Sequence, residues 1–332
     1  MREEKMTYAK SGVDITSEDA AIRALSKEIL FKREGFGAPL SDIGHYAGLI
    51  DLGGIALAMT TDGVGSKVLI ANEMKRWNTV GIDCIAMNVN DLIAIGVEPL
   101  AFVDYLAMDS PDEEITKQIG EGLAKGAELA KISIVGGETA TLPEVVKGFD
   151  LAGTAIGWVK KERVISGEKI EVGDKILGLQ SSGIHSNGLT LARKVVERSH
   201  RYTDPAPYDP EVSLGDELLT PTKIYTEVLK AIEECEVHGL AHITGSGLLK
   251  LKRITTLGFN FTDPLEPQKI FDFIKKEGNI DDIEMYKTFN MGMGFLLVLP
   301  GDEALKAREL IGGRIVGEII EEGVYVRDLK IL

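Results

Sequence analysis

The strongest constraint on this chain is a repeated alternation: an apolar run of strand length, a glycine-rich polar turn, then a helical stretch. Residues 55–60 read as a buried strand running directly into Asp62-Gly-Val-Gly-Ser-Lys67. Residues 79–95 carry helical spacing, with Gly96 at the stop and Pro99 just beyond. A strand at 100–108, a long helix at 112–131, a short strand at 132–135 ending in Gly136-Gly-Glu-Thr139, and a strand at 149–159 follow. An earlier helix starts at Thr16-Ser-Glu-Asp19, with Ile22, Leu25, Ile29 and Leu30 at helical spacing. After a charged stretch at 160–169 the pattern resumes with a strand at 176–180, a loop at 181–188 and a helix at 189–199. A proline-rich loop precedes a helix at 222–234, and the chain closes on a hairpin of 314–320 with 324–329. Such an alternation buries its apolar faces by stacking helices on sheets. A chain of 332 residues holds two such units at roughly 150 residues each. The predicted class is α/β of the α+β type: two mixed α/β domains, 1–165 and 166–332.

Charge and hydropathy exclude several functions. Lys+Arg 37 against Asp+Glu 52 leaves a net charge of −15. Nucleic acids and anionic membranes need clustered cations, so neither is an expected partner. No apolar run approaches the roughly 18 residues of a membrane span. Cys84 and Cys235 build neither a disulfide framework nor a metal cluster, and the start Met-Arg-Glu-Glu-Lys is no secretion signal. The expected compartment is the reducing cytoplasm.

The turns are where chemistry is expected. Neither a P-loop nor a dinucleotide-binding glycine fingerprint is present. In Asp62-Gly63-Val64-Gly65-Ser66-Lys67 the glycines let backbone N–H groups converge on a phosphate. There Lys67 adds a positive charge and Asp62 can hold a cation; an ordinary Asp-Gly hairpin turn is the other reading. Asn88, Asn90 and Asp91 interrupt an apolar helix, with Asn88 and Asp91 on one face. Burying them alone costs a few kcal/mol, so either a metal–phosphate group or a hydrogen-bond network meets them. Gly136-Gly137-Glu138-Thr139 puts a carboxylate at a strand end, or simply in a solvated loop. Asp62, Asp91 and Glu138 together would hold Mg²⁺ through oxygen ligands. Ser181 to Gly188 joins a strand to a helix. Its Ser186 and Asn187 suit an anion or nucleotide, and His185 either serves proton transfer or is structural. His242-Ile-Thr-Gly-Ser-Gly247 is a second glycine-rich helix start, and Met291 and Met293 read as core filler.

Taken in order, these blocks resemble the phosphoribosylformylglycinamidine cyclo-ligase family. The matching segments include Tyr8-Ala-Lys-Ser-Gly-Val-Asp14, Thr61 to Lys67, Gly81-Ile-Asp83, Asp91 to Pro99 and Val135-Gly-Gly-Glu-Thr-Ala140. Ser182 to Gly188, Ala241-His-Ile-Thr-Gly245 and Glu284-Met-Tyr-Lys-Thr-Phe-Asn290 complete the series. The resemblance implies ATP-dependent closure of formylglycinamidine ribonucleotide to aminoimidazole ribonucleotide in purine synthesis, through an iminophosphate. It also implies a homodimer paired through the N-terminal sheets, with a cleft between the domains. On that resemblance, Asp62, Asp91 and Glu138 hold Mg²⁺. Gly63, Val64, Gly65, Ser66, Lys67, Asn88, Gly136, Gly137 and Thr139 line the ATP phosphates, while His185, Asn187 and Lys67 serve the reacting group. Gly35–Ala38 would close as a lid. Ser26 stands where relatives often carry a functional lysine, and that role stays unassigned. A selenophosphate synthetase or thiamine-phosphate kinase is the alternative enzyme. The absence of a cysteine before Cys84 disfavours the former, and retained carboxylates disfavour an inert nucleotide-binding scaffold.

Overall fold

The computed structural model describes residues 5–40 and 46–332. The N-terminal unit comprises α1 (Ile15–Glu28), β1 (Gly48–Asp51), β2 (Ile55–Gly63), α2 (Lys67–Met74), α3 (Val80–Ile93), β3 (Glu98–Met108), α4 (Glu113–Ala130), β4 (Ser133–Thr141) and β5 (Phe149–Lys160). Its five strands form one sheet in the order β1-β2-β5-β3-β4, with only the β3–β4 pair parallel. Helices α3 and α4 cover one face of that sheet. On β5 that face carries Phe149, Leu151, Ala155 and Val159, all buried. The helices approach closely because Gly81 sits at their crossing, where a Cβ would lie 2.2 Å from the Leu123 nitrogen. Asp112 caps α4, its carboxylate accepting from the amides of Glu114 and Ile115.

The opposite face is uncovered, and Met59, Val103 and Tyr105 there are 40%, 39% and 44% exposed. Helix α1 has no buried residue among those described, and its Ile22 and Leu25 are exposed as well.

The C-terminal unit comprises β6 (Lys175–Gln180), α5 (Leu189–Glu197), a small ribbon of β7 (Pro205–Ala206) and β8 (Asp209–Ser213), α6 (Leu214–Leu219), α7 (Glu227–Glu234) and β9 (Gly239–His242). After a 3-10 segment, Gly247–Arg253, come β10 (Gly258–Phe261), α8 (Lys269–Glu277), α9 (Asp282–Thr288), β11 (Met293–Leu299), α10 (Gly301–Ile311), β12 (Arg314–Ile320), β13 (Val324–Val326) and β14 (Leu329–Lys330). Seven strands form a sheet in the order β14-β13-β10-β12-β6-β11-β9. Every residue of β11 is buried, so the Met-Gly-Phe-Leu-Leu-Val-Leu run lies at the centre of this domain's core.

Two mixed α/β domains are what the alternation predicts. Three local expectations fail. The terminal hairpin does not form, because β10 inserts between β12 and β13 and pairs with both. Residues 222–226 are not helical; α7 begins only at Glu227. Gly136-Gly-Glu-Thr139 is not a turn after a strand but the middle of β4, held by parallel pairing to β3.

Candidate active site

The cleft is built where β2, α3 and the loops of the second domain meet. The β2 strand runs through Asp62 and Gly63, so Asp62 belongs to the sheet's edge of the cleft rather than to a loop. Its side chain shares the helix-covered face with Asp104, two strands away in one cross-strand row, Asp62–Gly153–Asp104–Gly137. Gly137 makes room for Asp104: a Cβ there would lie 2.4 Å from the Asp104 Oδ1. Burial raises the Asp104 carboxyl above its ordinary value.

Helix α3 carries the polar residues that the apolar pattern could not explain. Asn88 donates from Nδ2 to the Asp62 carbonyl at 3.1 Å and to the Cys84 carbonyl at 2.8 Å, leaving its buried Oδ1 unpartnered among the described residues. Asn90 is fully buried and reaches into the other domain. It donates to the Lys223 carbonyl at 2.8 Å and accepts from the Tyr225 amide at 3.0 Å. Its Nδ2 also lies 3.3 Å from His242 Nε2. That contact makes Nε2 the acceptor, so His242 carries its proton on Nδ1 and donates it to Asp91 Oδ1 at 2.9 Å. Burial lowers the His242 pKa while Asp91 pulls it upward. Asp62 is raised by burial and by the neighbouring charge of Asp91.

At the domain seam lies a cavity of about 350 Å³, lined by Gly65, Ser66, Asn187, Gly245, Lys250 and Arg253 among others. Gly65 adopts a left-handed φ of 67°, and the Ser66 hydroxyl lies 3.1 Å from that of Thr190 across the domain seam. Asn187 sits against Gly245, where a Cβ would lie 2.7 Å from its Oδ1. Lys250 and Arg253 join the site only through the fold. Their signal in the sequence is a basic cluster, Lys250-Leu-Lys-Arg253, separated by two leucines from the Gly245-Ser-Gly247 turn.

Four expectations are corrected by this geometry. Lys67 is not available to a phosphate: it has no exposed area and its Nζ donates to Asp83 Oδ1 at 2.9 Å and to the Thr220 carbonyl at 2.6 Å. The same Asp83 oxygen accepts from the Thr222 amide at 2.7 Å and hydroxyl at 2.6 Å, closing a buried knot between the domains. Burial lowers the Lys67 pKa, opposed by Asp83. Second, Glu138 does not join Asp62 and Asp91. It is exposed and stands opposite Tyr105 on the uncovered face of the sheet, one residue out of phase with Gly137. No group of three metal-binding side chains occurs among the described residues. Gly136 and Thr139 accompany Glu138 on this exposed edge strand, away from the cavity lining.

Third, His185 is 1% exposed at a left-handed φ of 66°. Its Nε2 accepts from the Ser182 amide at 3.2 Å, which shapes the 181–188 loop, and no face is open to a substrate. Burial, then the charges of His242, Lys67 and Lys223, hold its pKa well below the usual value. Fourth, the expected lid Gly35–Ala38 is tied down at its C-terminal half, where the Asp51 amide also donates to the Ala38 carbonyl at 2.8 Å. The Gly37 amide donates to the Asp51 carbonyl at 2.6 Å, and the Leu40 amide to the Leu49 carbonyl at 2.9 Å, zipping the segment onto β1. Val64 is buried and Gly63 ends β2, so of the 62–67 turn only Gly65 and Ser66 face the cavity.

The remaining donor set is all oxygen: the Asp62 and Asp91 carboxylates with the orphaned Asn88 Oδ1. That chemistry suits a hard divalent cation such as Mg²⁺.

Comparison with known proteins follows the same division of the chain. Residues 44–159 match the model of the AIR synthase related protein, N-terminal domain, and 171–330 that of the C-terminal domain. A phosphoribosylformylglycinamidine cyclo-ligase of Methanococcoides burtonii is 65% identical over the full length of both chains. One from Methanosarcina acetivorans is 64% identical, again over all of both chains. Among solved structures, a thiamine monophosphate kinase from Aquifex aeolicus matches with a TM-score of 0.64 at 18% identity, over 96% of this chain and 99% of that one. That last likeness is one of fold.

Proposed function

The chain belongs to the AIR synthase related family, and from that premise we propose how its cleft performs the reaction for which the two cyclo-ligase relatives are named. The protein is an ATP-dependent cyclo-ligase. It closes formylglycinamidine ribonucleotide to 5-aminoimidazole ribonucleotide and releases ADP and phosphate, a step of purine biosynthesis. The observation that carries this reading is the domain-seam cavity lined by Gly65, Ser66 and Asn187, with Asn88 Oδ1 left unpartnered among the described residues on the helix that carries Asp91.

The chemistry asks for such a site. A formamide oxygen is a poor leaving group, so the γ-phosphoryl group of ATP is first passed to it, giving an iminophosphate. The neighbouring amidine nitrogen then attacks that carbon, and phosphate departs as the ring closes. The first step requires positioning and charge neutralisation more than covalent help. Asp62, Asp91 and Asn88 Oδ1 would hold Mg²⁺, which neutralises and orients the triphosphate when bound. The Gly65 and Ser66 amides receive phosphate oxygens, and Asn187 holds the reacting group at the domain seam. His242 fixes the Asp91 carboxylate through Nδ1–H, and Asn90 fixes His242. The Lys67–Asp83–Thr222 knot aligns the two halves of the cleft, and His185 shapes the 181–188 loop from behind. Closure of the seam excludes water from the iminophosphate.

The working unit is a cytoplasmic homodimer joined through the uncovered sheet face. Met59, Val103 and Tyr105 supply its apolar surface, with Glu138 beside them on the same face. No helix among the described residues is long and apolar enough to cross a membrane.

The test is one incubation with formylglycinamidine ribonucleotide, ATP and Mg²⁺, following ADP and the aminoimidazole together. Equal amounts of both, absent when either substrate is withheld, are expected. ADP without aminoimidazole would assign the cleft to another phosphoryl acceptor.

A further inference from the structure

With Lys67 sealed in the domain seam, Lys250 is the lysine that lines the cavity among the described residues. Lys250 lies in the 3-10 segment Gly247–Arg253, half-buried, and lines the same cavity as Gly65 and Ser66. Its Nζ stands 5.9 Å from the centroid of the Tyr46 ring and donates to the Thr244 hydroxyl. An ammonium has three donors, so Thr244 leaves two for other partners. The charges that act on Lys250 are attractive Asp91 and Asp62 and repulsive Arg253. Among the described residues it forms no direct ion pair with either carboxylate, in contrast to Lys67 and Asp83 at 2.8 Å. The charge of Asp91 raises the Asp62 carboxyl, and like charges near each other are costly without a counter-charge. Lys250 supplies one from the cavity side.

We propose that Lys250 is the phosphate-contacting cation of this cleft. In the nucleotide-free protein its ammonium balances Asp62 and Asp91. When a divalent cation takes over those carboxylates, the ammonium turns to the phosphate oxygens of the bound nucleotide. The side chain is suited to this exchange, because its flexible stem lets a point charge move between neighbouring anions, which the fixed planar fork of Arg does poorly. The inference rests on the cleft being the ATP site.

Two readouts move in opposite directions. Lys250→Met keeps the apolar stem and removes the charge. Calorimetric titration of the nucleotide-free variant with Mn²⁺ is expected to give roughly tenfold tighter binding than wild type, because no ammonium competes for the carboxylates. Its KM for ATP is expected to rise roughly tenfold, because a phosphate contact is lost. Lys252→Met, exposed on the same segment, should change neither. Lys250→Arg keeps the charge and should return Mn²⁺ affinity to the wild-type level. Should Lys250→Met fail to fold, Lys250→Gln is titrated in its place. Unchanged or weaker Mn²⁺ binding, or an unchanged KM for ATP, overturns the proposal. The Mn²⁺ titration uses no organic substrate, so it stands apart from the cyclo-ligase reading. A wild type that makes no aminoimidazole refutes that reading and leaves the titration interpretable. An unchanged titration refutes the role of Lys250 even in an enzyme that makes product.

Discussion

Two lysine–aspartate groupings lie along α3, one near its start and one near its end, and they are built in opposite ways. Near the start, Lys67 and Asp83 are both without exposed area, and their hydrogen bonds go to each other and to Thr220 and Thr222. Near the end, Asp91 keeps a 13% exposed side chain and one fixed partner, His242, while Lys250 stands in its field without bonding to it. The first group resembles a closed circuit in which each charge is already answered. The second has capacity left over: an orphaned Asn88 Oδ1, two ammonium donors, and a carboxylate pair that raises Asp62. Saturation marks the residues that hold the domains together. Unsatisfied capacity at the cleft marks those offered to a ligand; the His185 Nδ1, unpartnered among the described residues, is sealed away with its ring and offers none.

The largest expected effect comes from breaking the closed group. Lys67→Met leaves the Asp83 carboxylate buried without its cation, which costs about 3–5 kcal/mol. Denaturant unfolding should show that loss as a lower midpoint, and a stability within about 1 kcal/mol of wild type would mean the pair is not buried as described. Next comes Asp91→Asn, which keeps the shape but removes the charge from the open group. ATP turnover should fall by about 10²–10³-fold, as when one preorganised electrostatic partner is deleted from an active site. Circular dichroism and unfolding should be little changed, and turnover kept within about threefold would remove Asp91 from the site.

Between the two groups stands Asn90, which ties Lys223, Tyr225 and His242 to α3. Asn90→Ala leaves buried groups unpaired on the other domain, at a cost of about 1–3 kcal/mol. It should also slow turnover, since His242 loses the contact that selects its Nδ1–H tautomer. A loss of stability with kinetics unchanged would show that the tautomer does not matter to Asp91.

The smallest effect is the pH dependence of stability. His185 is held neutral in the fold, whereas in the unfolded chain it takes a proton below about pH 6.5. The unfolded state then binds more protons, so stability is fully present above that pH and falls as pH drops below it, by at most about 1.4 kcal/mol per unit per histidine. His242 contributes in the same direction. His185→Asn tolerates the left-handed backbone and should flatten the fall between about pH 7 and 5.5, a window above the ordinary carboxylate range. An unchanged slope would mean His185 is protonated in the native state.

The same contrast explains what could be read from the chain. The two-domain alternation was legible because each strand and helix carries its own period. So was the anomaly of Asn88, Asn90 and Asp91 inside an apolar helix, although its answer is partly a hydrogen-bond network. What could not be read was decided by partners far along the chain. Residues 222–226 have a helical pattern, yet Asp83 captures the Thr222 amide and Asn90 the Lys223 carbonyl and Tyr225 amide, which holds the backbone out of the helix. Gly136-Gly-Glu-Thr139 reads locally as a turn, but pairing with β3 continues the strand and turns Glu138 to the uncovered face. The terminal hairpin was lost to β10, a strand that enters from outside the pair. Lys67 beside a glycine turn has the look of a phosphate ligand. Asp83, one helix later, decides otherwise. Lys250 lies beyond the glycine motif that drew attention, and only the fold brings it to Asp62 and Asp91.

The most direct test of this division measures unfolding stability and kcat/KM for ATP in the same preparations of Lys67→Met and Lys250→Met. A crossed pattern is expected. Lys67→Met should lose the larger share of stability, about 3–5 kcal/mol, while Lys250→Met should remain near wild type in stability and lose the larger share of kcat/KM. The reverse pattern, with Lys250 supporting the fold and Lys67 supporting turnover, would contradict it.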